Sequence, residues 1–283
     1  MVHNVFTLHD IAAGPDVKFP FTISDYQSYI FGDSRLAHRF GTQLAKAFIA
    51  NDLRLAAPQS STGTTATQSL TEGVAVAVIS GDVPTASQNL RNHFVACLNR
   101  HLITNNAHPV RKIELYAGSC VAPARDGPQT SKTAACHIDH ARLGNRTLVV
   151  LGDLRMNQTQ EDTMINSLRQ MNVNNPIIFV YLAAFESQTC TDALSTTLSS
   201  IISPTLKDVD RLAQSPSFIM NDVFVRFVLG RHPTDFCRFI RGQDDDFARL
   251  LLDYAISGGY YQDGMYEQNF KFLLWELGTR ESM

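Results

Sequence analysis

The sequence predicts an α/β fold in which a parallel sheet is flanked by helices. Short, continuous apolar runs of strand length occur at residues 73–79, 147–151 and 176–185. Segments with helical periodicity separate these runs, and strands that are apolar on both faces are typical of parallel sheets covered by helices. From about residue 191 helical segments follow one another without a comparable strand, so we expect a helical C-terminal region.

The elements around the first apolar run follow from local patterns. Residues 35–51 show the apolar spacing of a helix, and the small polar residues 58–68 predict a surface loop. After the run at 73–79, a turn at 80–85 leads into a helical stretch that ends near residue 102.

The later elements are predicted in the same way. Residues 111–116 alternate between polar and apolar side chains and predict a strand, whereas 117–135 are rich in Gly, Ser, Pro and Thr and predict a long loop. Helical periodicity at 222–229, 247–256 and 269–277 predicts three helices in the C-terminal region.

These elements divide the chain into three parts. We expect an N-terminal arm with its helix at residues 1–60, an α/β core at residues 61–190 and the helical region at residues 191–283. At 283 residues, with 44% of them hydrophobic, the chain is long enough for one large domain or for a core with a smaller appended domain.

The composition argues against several classes of protein. With a net charge of -3 the chain has no broad basic field, which disfavours nucleic acid as a partner. No apolar run approaches the roughly 20 residues of a membrane span, and the first residues lack the pattern of a signal peptide. The five cysteines are scattered without a CxxC pair, which favours reduced thiols over zinc ligation. We therefore expect a cytoplasmic protein without a membrane partner.

The most informative segment, residues 146–171, has the pattern of a strand, a polar loop and a helix. Its apolar run is followed by Asp153, which we expect at the end of the strand. Helical spacing predicts the helix from about residue 161 to residue 171. Thr159, followed three residues later by Asp162, is a variant of the capping box that marks the start of a helix.

This arrangement predicts a binding site for an anion. A strand that leads through a polar loop into a helix N-terminus directs backbone N–H groups and the positive end of the helix dipole to one place. That geometry suits an anion, and phosphate above all. A carboxylate such as Asp153 at the strand end can meanwhile accept hydrogen bonds from sugar hydroxyls or bind a hydrated metal ion.

The segment at residues 151–161 resembles the phosphoribosyl-diphosphate (PRPP) binding motif of phosphoribosyltransferases, which is an apolar strand, two acids, a short spacer and a small polar loop. Other segments, in the same order and with similar spacing, resemble the bacterial ComF-like phosphoribosyltransferase-related family, which is associated with tellurite-resistance-type stress gene clusters. These segments are residues 25–45, 83–102, 137–148, 218–229 and 260–274.

The resemblance implies a type I phosphoribosyltransferase-like fold and a site that binds PRPP, with Mg²⁺ bound through PRPP. It further implies transfer of the phosphoribosyl group to a base or base-like acceptor. Asp153 takes the catalytic position of the second acid. The binding residues that the resemblance implies are Asp153, Arg155, Asn157, Gln158, Thr159 and Gln160.

The chain departs from the family motif at three positions. Gly152 stands where the first acid is expected, and Asn157 and Gln158 replace the usual Thr-Gly, while Thr159 is kept. The two acids ordinarily hold the ribose hydroxyls and stabilise the cationic anomeric carbon, so the loss of one carboxylate weakens catalysis. Gln158 is also less suited than glycine to a close backbone approach to phosphate. The site can bind a phosphorylated sugar and still turn over slowly or not at all.

Several residues within this segment have two interpretations. Arg155 either contacts phosphate or pyrophosphate, or is a solvated loop charge. Thr159 either only caps the helix or also binds phosphate, since the two roles are compatible. Glu161 and Asp162 are interpreted as surface acids that stabilise the helix dipole rather than as catalytic groups.

Two other loops correspond to functional loops of phosphoribosyltransferases. Residues 80–85 follow a strand as the pyrophosphate loop does, although an ordinary strand-to-helix turn is favoured. Residues 117–135 occupy the place of the hood loop that closes over the reaction centre, and Arg125 and Lys132 are its cations.

The remaining candidates are weaker. His137 and Asp139 form an acid/base pair in one interpretation, whereas the favoured one is a histidine with a local hydrogen bond. Arg35, His38 and Arg39 lie on one helical stretch, for which a solvated face is favoured over a cationic patch near the site. The acidic residues 244–246 predict a solvated turn before a helix.

Two functions from different classes remain open at this point. One is a magnesium-dependent phosphoribosyltransferase, and the other is a catalytically inactive protein of the same fold that acts as a nucleotide sensor or an assembly partner. A dinucleotide-binding enzyme is disfavoured because no GxGxxG follows a strand. In either case the expected partner is a small sugar phosphate or nucleotide, and a homodimer or a protein partner stays open.

Overall fold

The computed structural model describes residues 3–11, 19–51, 73–118, 135–155, 158–185, 201 and 203–282. The chain splits into two compact units. The α/β unit lies within residues 1–20, 38–80 and 87–195, and the helical unit lies within residues 21–37, 81–86 and 196–283. The boundaries expected near residues 60 and 190 fall outside the described residues, so that three-part division stays a prediction.

The α/β unit is built on a six-stranded sheet with the order β1-β6-β5-β2-β3-β4. All neighbouring strands pair in parallel except β4, which is antiparallel to β3. The prediction of an α/β fold with a parallel sheet flanked by helices is therefore confirmed, and the antiparallel edge strand β4 is an addition to it. The strands are β1 (His3–Ile11), β2 (Val74–Ser80), β3 (Arg111–Gly118), β4 (Ala135–Ile138), β5 (Thr147–Arg155) and β6 (Ile177–Phe185).

Two features of the sheet differ from the expectation. The N-terminal segment, expected only as an arm, forms the edge strand β1, which pairs with β6 from His3 opposite Ile177 onwards. Its sequence lacks the continuous apolar run of a central strand, and most of its side chains are only half-buried. Strand β5 is also longer than its apolar run, because pairing with β6 continues as far as Arg155. Asp153 therefore lies within the strand rather than at its end.

Helices connect and cover the strands. Helix α3 (Ala86–Thr104) joins β2 to β3, and α5 (Thr159–Gln170) joins β5 to β6. Met164, Ile165 and Leu168 of α5 belong to the buried cluster that covers one face of the sheet. The other helices of this half of the chain are α1 (Ile23–Ile30), α2 (Ser34–Asn51) and the short α4 (His140–Leu143).

The helical unit confirms the expected helical C-terminal region. Besides α1, the described residues of this unit form α6 (Leu206–Ala213), α7 (Asp222–Leu229), α8 (Pro233–Arg241), α9 (Asp245–Ser257) and α10 (Glu267–Glu281). Asp244 caps α9 by accepting a hydrogen bond from the Phe247 amide at 2.8 Å, so the acidic run at 244–246 begins a helix as predicted. No helix in the described ranges has the length and apolar character that crossing a membrane requires.

The strand order fixes where a ligand is expected. The chain runs from β2 through α3 to β3 on one side, then returns to form β5 on the other side of β2. Neighbouring strands whose connections leave in opposite directions open a crevice at their carboxyl ends, where open α/β sheets bind ligands. A ligand is therefore expected at the carboxyl ends of β2 and β5.

Candidate functional site

The predicted strand–loop–helix segment is present, but its helix starts two residues earlier than expected. Gln158 occupies the N-cap position and makes no side-chain capping hydrogen bond, and Thr159 is the first helical residue. The capping box expected from Thr159 and Asp162 is therefore wrong. The intrahelical ladder begins with the Asp162 amide, which donates to the Gln158 carbonyl at 3.0 Å.

The first turn of α5 is exposed at the residues that the family motif assigns to phosphate. Gln158, Thr159 and Gln160 are all exposed. The amides ahead of Asp162 precede the first intrahelical hydrogen bond, as at the start of any α-helix, and they carry the positive end of the helix dipole. Asn157, the other loop residue expected to bind, lies outside the described residues.

Asp153 is half-buried within β5, two residues before the end of the strand. One of its carboxylate oxygens accepts a hydrogen bond from the Leu154 amide at 2.8 Å. The strand thus places this carboxylate close in sequence to the loop that leads into α5. Its assignment to ribose hydroxyls stays a prediction.

Arg155 and Glu161 form an ion pair that links the end of β5 to the first turn of α5. Arg155 Nε lies 2.6 Å from Glu161 Oε1, and its Nη2 lies 2.9 Å from Oε2, which is the forked geometry of a strong charge-assisted pair. Glu161 is only 1% exposed, so the expectation of a surface acid is wrong. The guanidinium is held by this carboxylate, and the interpretation of Arg155 as a solvated loop charge is also wrong.

Tyr181 of β6 completes this buried polar group. Its hydroxyl donates a hydrogen bond to the Glu161 carboxylate, and burial together with that negative charge raises the pKa of the phenol. The hydrogen bonds from Arg155 to Glu161 raise the pKa of the Arg155 guanidinium. Near neutral pH Tyr181 is therefore a neutral donor and Arg155 is a cation.

The Tyr181 ring also covers the position of the missing acid. Strand pairing places Gly152 opposite Tyr181, and a Cβ atom added to Gly152 would lie 2.8 Å and 2.9 Å from two ring carbons. Real side chains do not approach that closely, so any residue larger than glycine requires the ring to move. The absence of the first acid is therefore matched by a tyrosine that fills its space.

A second polar cluster lies beside the carboxyl end of β2 and was not found from the sequence. Arg91 of α3 is 5% exposed, and it donates to the Glu114 carboxylate at 2.7 Å and to the Ile113 carbonyl at 2.8 Å. Ser80 and Gln88 also donate to Glu114. The sequence signal for this cluster is Arg91, a charged residue among the apolar positions of α3.

This cluster predicts a pH dependence of stability. Hydrogen bonds from Arg91, Ser80 and Gln88 outweigh burial and lower the pKa of the Glu114 carboxyl. A lowered native pKa stabilises the fold above the unfolded value of about 4.3, and this contribution is lost as the pH falls through the native pKa. Denaturant unfolding between about pH 6 and pH 3 is expected to show a shallower loss of stability in Glu114→Gln than in the parent protein.

Glu267 provides a matched control for that measurement. Its carboxyl pKa is also lowered, by Lys271, but the group lies on the surface. Salt at about 0.5 M is expected to remove the effect of Glu267→Gln and to leave most of the effect of Glu114→Gln. Equal pH slopes for Glu114→Gln and the parent protein would contradict the role assigned to Glu114.

The weaker candidates have structural roles. Asp139 caps α4 by accepting a hydrogen bond from the Arg142 amide at 3.0 Å. His137 is exposed on the antiparallel strand β4, opposite Tyr116. The acid/base pair is thus not supported, since Asp139 acts as a helix cap. The hood loop cations Arg125 and Lys132 lie outside the described residues.

The helical stretch with three cations is exposed, in agreement with the favoured interpretation. Arg35 pairs with Asp33. The ring of His38 lies 5.0 Å from that of His93, and the Arg39 guanidinium lies over the Phe40 ring. Residues 80–85 form the connection between β2 and α3, and their role toward pyrophosphate stays a prediction.

The described residues contain no group of three or more His, Cys, Asp or Glu side chains arranged to hold a metal ion. Asp153 alone offers one carboxylate, whereas Mg²⁺ takes six oxygen ligands, of which substrate phosphates and water often supply most. The donor set therefore fits Mg²⁺ only as a companion of a bound diphosphate.

This chain is similar to a family model and to a solved structure. A family model described as PRTase ComF-like matches residues 2–273. Among solved structures, the chain is similar to a hypoxanthine phosphoribosyltransferase from Staphylococcus aureus with 14% identity and a TM-score of 0.30, over 62% of this chain and 73% of that one. No curated protein matches the chain.

Proposed function

Because the chain belongs to the PRTase ComF-like family, we propose that its α/β unit binds PRPP or a related sugar phosphate at the carboxyl end of β5. The observation that carries the proposal is the exposure of Gln158, Thr159 and Gln160 at the start of α5, the helix that follows the strand holding Asp153. The amides of the first turn of α5 donate hydrogen bonds to the 5′-phosphate, and Asp153 accepts hydrogen bonds from the ribose hydroxyls.

The reaction proposed for the bound sugar is transfer of its phosphoribosyl group to a base or base-like acceptor. The bond from the anomeric carbon to pyrophosphate oxygen breaks, pyrophosphate leaves with the electron pair, and an acceptor nitrogen forms the new bond and loses its proton. Asp153 stabilises the positive charge that develops on the ribose. One carboxylate in place of two costs about 3 kcal/mol of such stabilisation, by analogy with the loss of one preorganised polar group, so turnover is slow.

A second candidate function is supported by the Tyr181 ring over Gly152 and by the Arg155–Glu161 ion pair. The Tyr181 ring fills the place of the first acid. Arg155, the cation expected to contact phosphate, is paired with Glu161 of the protein itself. A protein of this kind binds a nucleotide or sugar phosphate without transferring it and acts as a sensor or an assembly partner.

Binding is tested by thermal unfolding with PRPP and Mg²⁺. At a concentration about 100 times Kd, PRPP is expected to raise Tm by roughly 5 °C. Asp153→Asn is expected to remove most of this shift, because the amide replaces the only carboxylate proposed to hold the ribose. Asp162→Asn, an exposed change one turn into the same helix, is the matched control and should leave the shift in place.

The controls separate PRPP from its components. Mg²⁺ alone and pyrophosphate with Mg²⁺ are measured at the same concentrations. No shift with PRPP, or an equal shift with Asp153→Asn, would contradict the proposed site. Release of pyrophosphate from PRPP with a panel of nucleobases decides between the two functions, since the sensor releases none.

A further inference from the structure

The helical unit contains a cavity of about 430 Å³ that the proposed function does not use. Its volume lies in the range of small-molecule binding sites. The cavity lies between α1, the turn that follows α1, and α6. Its polar lining includes Ser24, Ser28, Arg35, Asp208, Arg211 and Ser215.

Arg35 reaches the cavity from the start of α2, and its carboxylate partner has other donors. Asp33 is 6% exposed and pairs with the Arg35 guanidinium at 3.2 Å. The same carboxylate accepts hydrogen bonds from the Arg35 amide at 2.9 Å and from the Leu36 amide at 3.4 Å. Asp33 therefore keeps backbone donors when the guanidinium moves to a ligand, so the transfer leaves no buried carboxylate without a hydrogen bond.

Arg211 on α6 also pairs with a carboxylate that has another hydrogen-bond donor. Its Nη2 lies 2.8 Å from Oδ1 of Asp208. The other carboxylate oxygen of Asp208 accepts a hydrogen bond from the Thr205 hydroxyl at 2.6 Å. Arg211 is 81% exposed, and surface pairs of this kind are weak. Its guanidinium can therefore leave Asp208 at little cost.

The turn that holds Asp33 is fixed in place. Gly32 has a φ of 112°, a conformation that other residues rarely adopt, and a Cβ there would collide with the Ile219 carbonyl oxygen. The Ile219 amide donates to the Gly32 carbonyl at 2.9 Å, and the Ser34 amide donates to the Ser217 carbonyl at 3.0 Å. A fixed turn keeps Asp33 and Arg35 at one wall of the cavity without a ligand.

We propose that this cavity binds a small molecule that carries a phosphate monoester. Arg35 and Arg211 line it from two different helices and supply forked donors for a phosphate, and the serine hydroxyls supply further donors. Buried Phe31 and Val209 give part of the lining an apolar character, which suits the organic part of such a ligand. The site is separate from the one at β5 and does not depend on it.

Protection of the arginines from chemical modification tests the proposal on the intact protein. Phenylglyoxal is applied with and without AMP, and the modified peptides are quantified by mass spectrometry. AMP is expected to slow modification of Arg35 and Arg211 by about tenfold at a concentration about ten times Kd, because a bound phosphate covers both guanidinium groups. Arg238, which is exposed and pairs with Asp235 three residues earlier as Arg211 does with Asp208, is the control and should react equally in both samples.

A second measurement uses binding calorimetry with AMP, adenosine and inorganic phosphate. The double variant Arg35→Gln/Arg211→Gln is expected to lose at least about tenfold in AMP affinity, whereas Arg238→Gln and Asp153→Asn retain this site. Adenosine is expected not to bind there. Equal protection by adenosine and AMP, no protection by AMP, or unchanged AMP affinity in the double variant would each overturn the proposal. Loss of PRPP binding in Asp153→Asn, by contrast, bears only on the site at β5.

Discussion

Replacing Arg155 with methionine is expected to lower the free energy of unfolding by about 3–5 kcal/mol, the usual cost of leaving a buried charge without its partner. Glu161 is 1% exposed, and Arg155 supplies both of the guanidinium hydrogen bonds to its carboxylate. Without them only Tyr181 remains as a side-chain donor among the contacts described for this carboxylate. Urea unfolding at pH 7 measures the loss.

Two controls show whether the unpaired charge is the cause. Arg155→Met/Glu161→Gln removes the charge and is expected to recover most of the lost stability. Arg142→Met breaks an exposed ion pair with Asp139 and is expected to cost less than about 0.5 kcal/mol. A loss that is equal in the single and double variants would contradict this account.

Restoring the missing acid of the motif is expected to damage the protein rather than to activate it. Gly152→Asp places a Cβ within 2.9 Å of the Tyr181 ring and adds a carboxylate to the strand next to the group that holds Glu161. We expect a loss of stability of at least about 2 kcal/mol, the middle of the range for overpacked cores. Gly81→Asp is the matched control, because a Cβ at Gly81 meets nothing within 4 Å.

The double variant Gly152→Asp/Tyr181→Ala tests whether the Tyr181 ring sterically excludes an acid at position 152. Removing the ring opens the space for the new side chain, so part of the lost stability is expected to return relative to Gly152→Asp. If the site transfers phosphoribosyl groups, pyrophosphate release should rise in this variant above the level of the parent protein. Stability in Gly152→Asp equal to that of the parent would show that Tyr181 does not exclude the acid.

The central sheet could be predicted from the sequence because its strands are continuous apolar runs. Strands β2, β5 and β6 each contain such a run, and β3 was predicted from its alternating pattern. The edge strand β1 has half-buried side chains on both faces and gave no comparable signal. Its assignment depends on pairing with β6, a contact between distant parts of the chain that periodicity does not reveal.

The candidate site was predicted in outline, but its internal contacts were not. The departure at Gly152 is visible in the sequence, whereas the residue that lies over it is set by the register of β5 on β6. The sequence pattern predicts Glu161 as an exposed acid of the first helical turn, whereas the structure buries it. Its spacing of four and seven residues from Ile165 and Leu168 places it on the buried face of α5, and this spacing was the available signal.

The pairing of β1 with β6 also affects how the chain folds. His3 pairs with Ile177, which lies 174 positions later in the chain, so β1 reaches its neighbour only when a long loop closes. Until then β6 has an open hydrogen-bonding edge, which can recruit another chain. Closing so long a loop slows folding. Strand β1 therefore covers an edge of β6 that would otherwise be open to pairing with another chain.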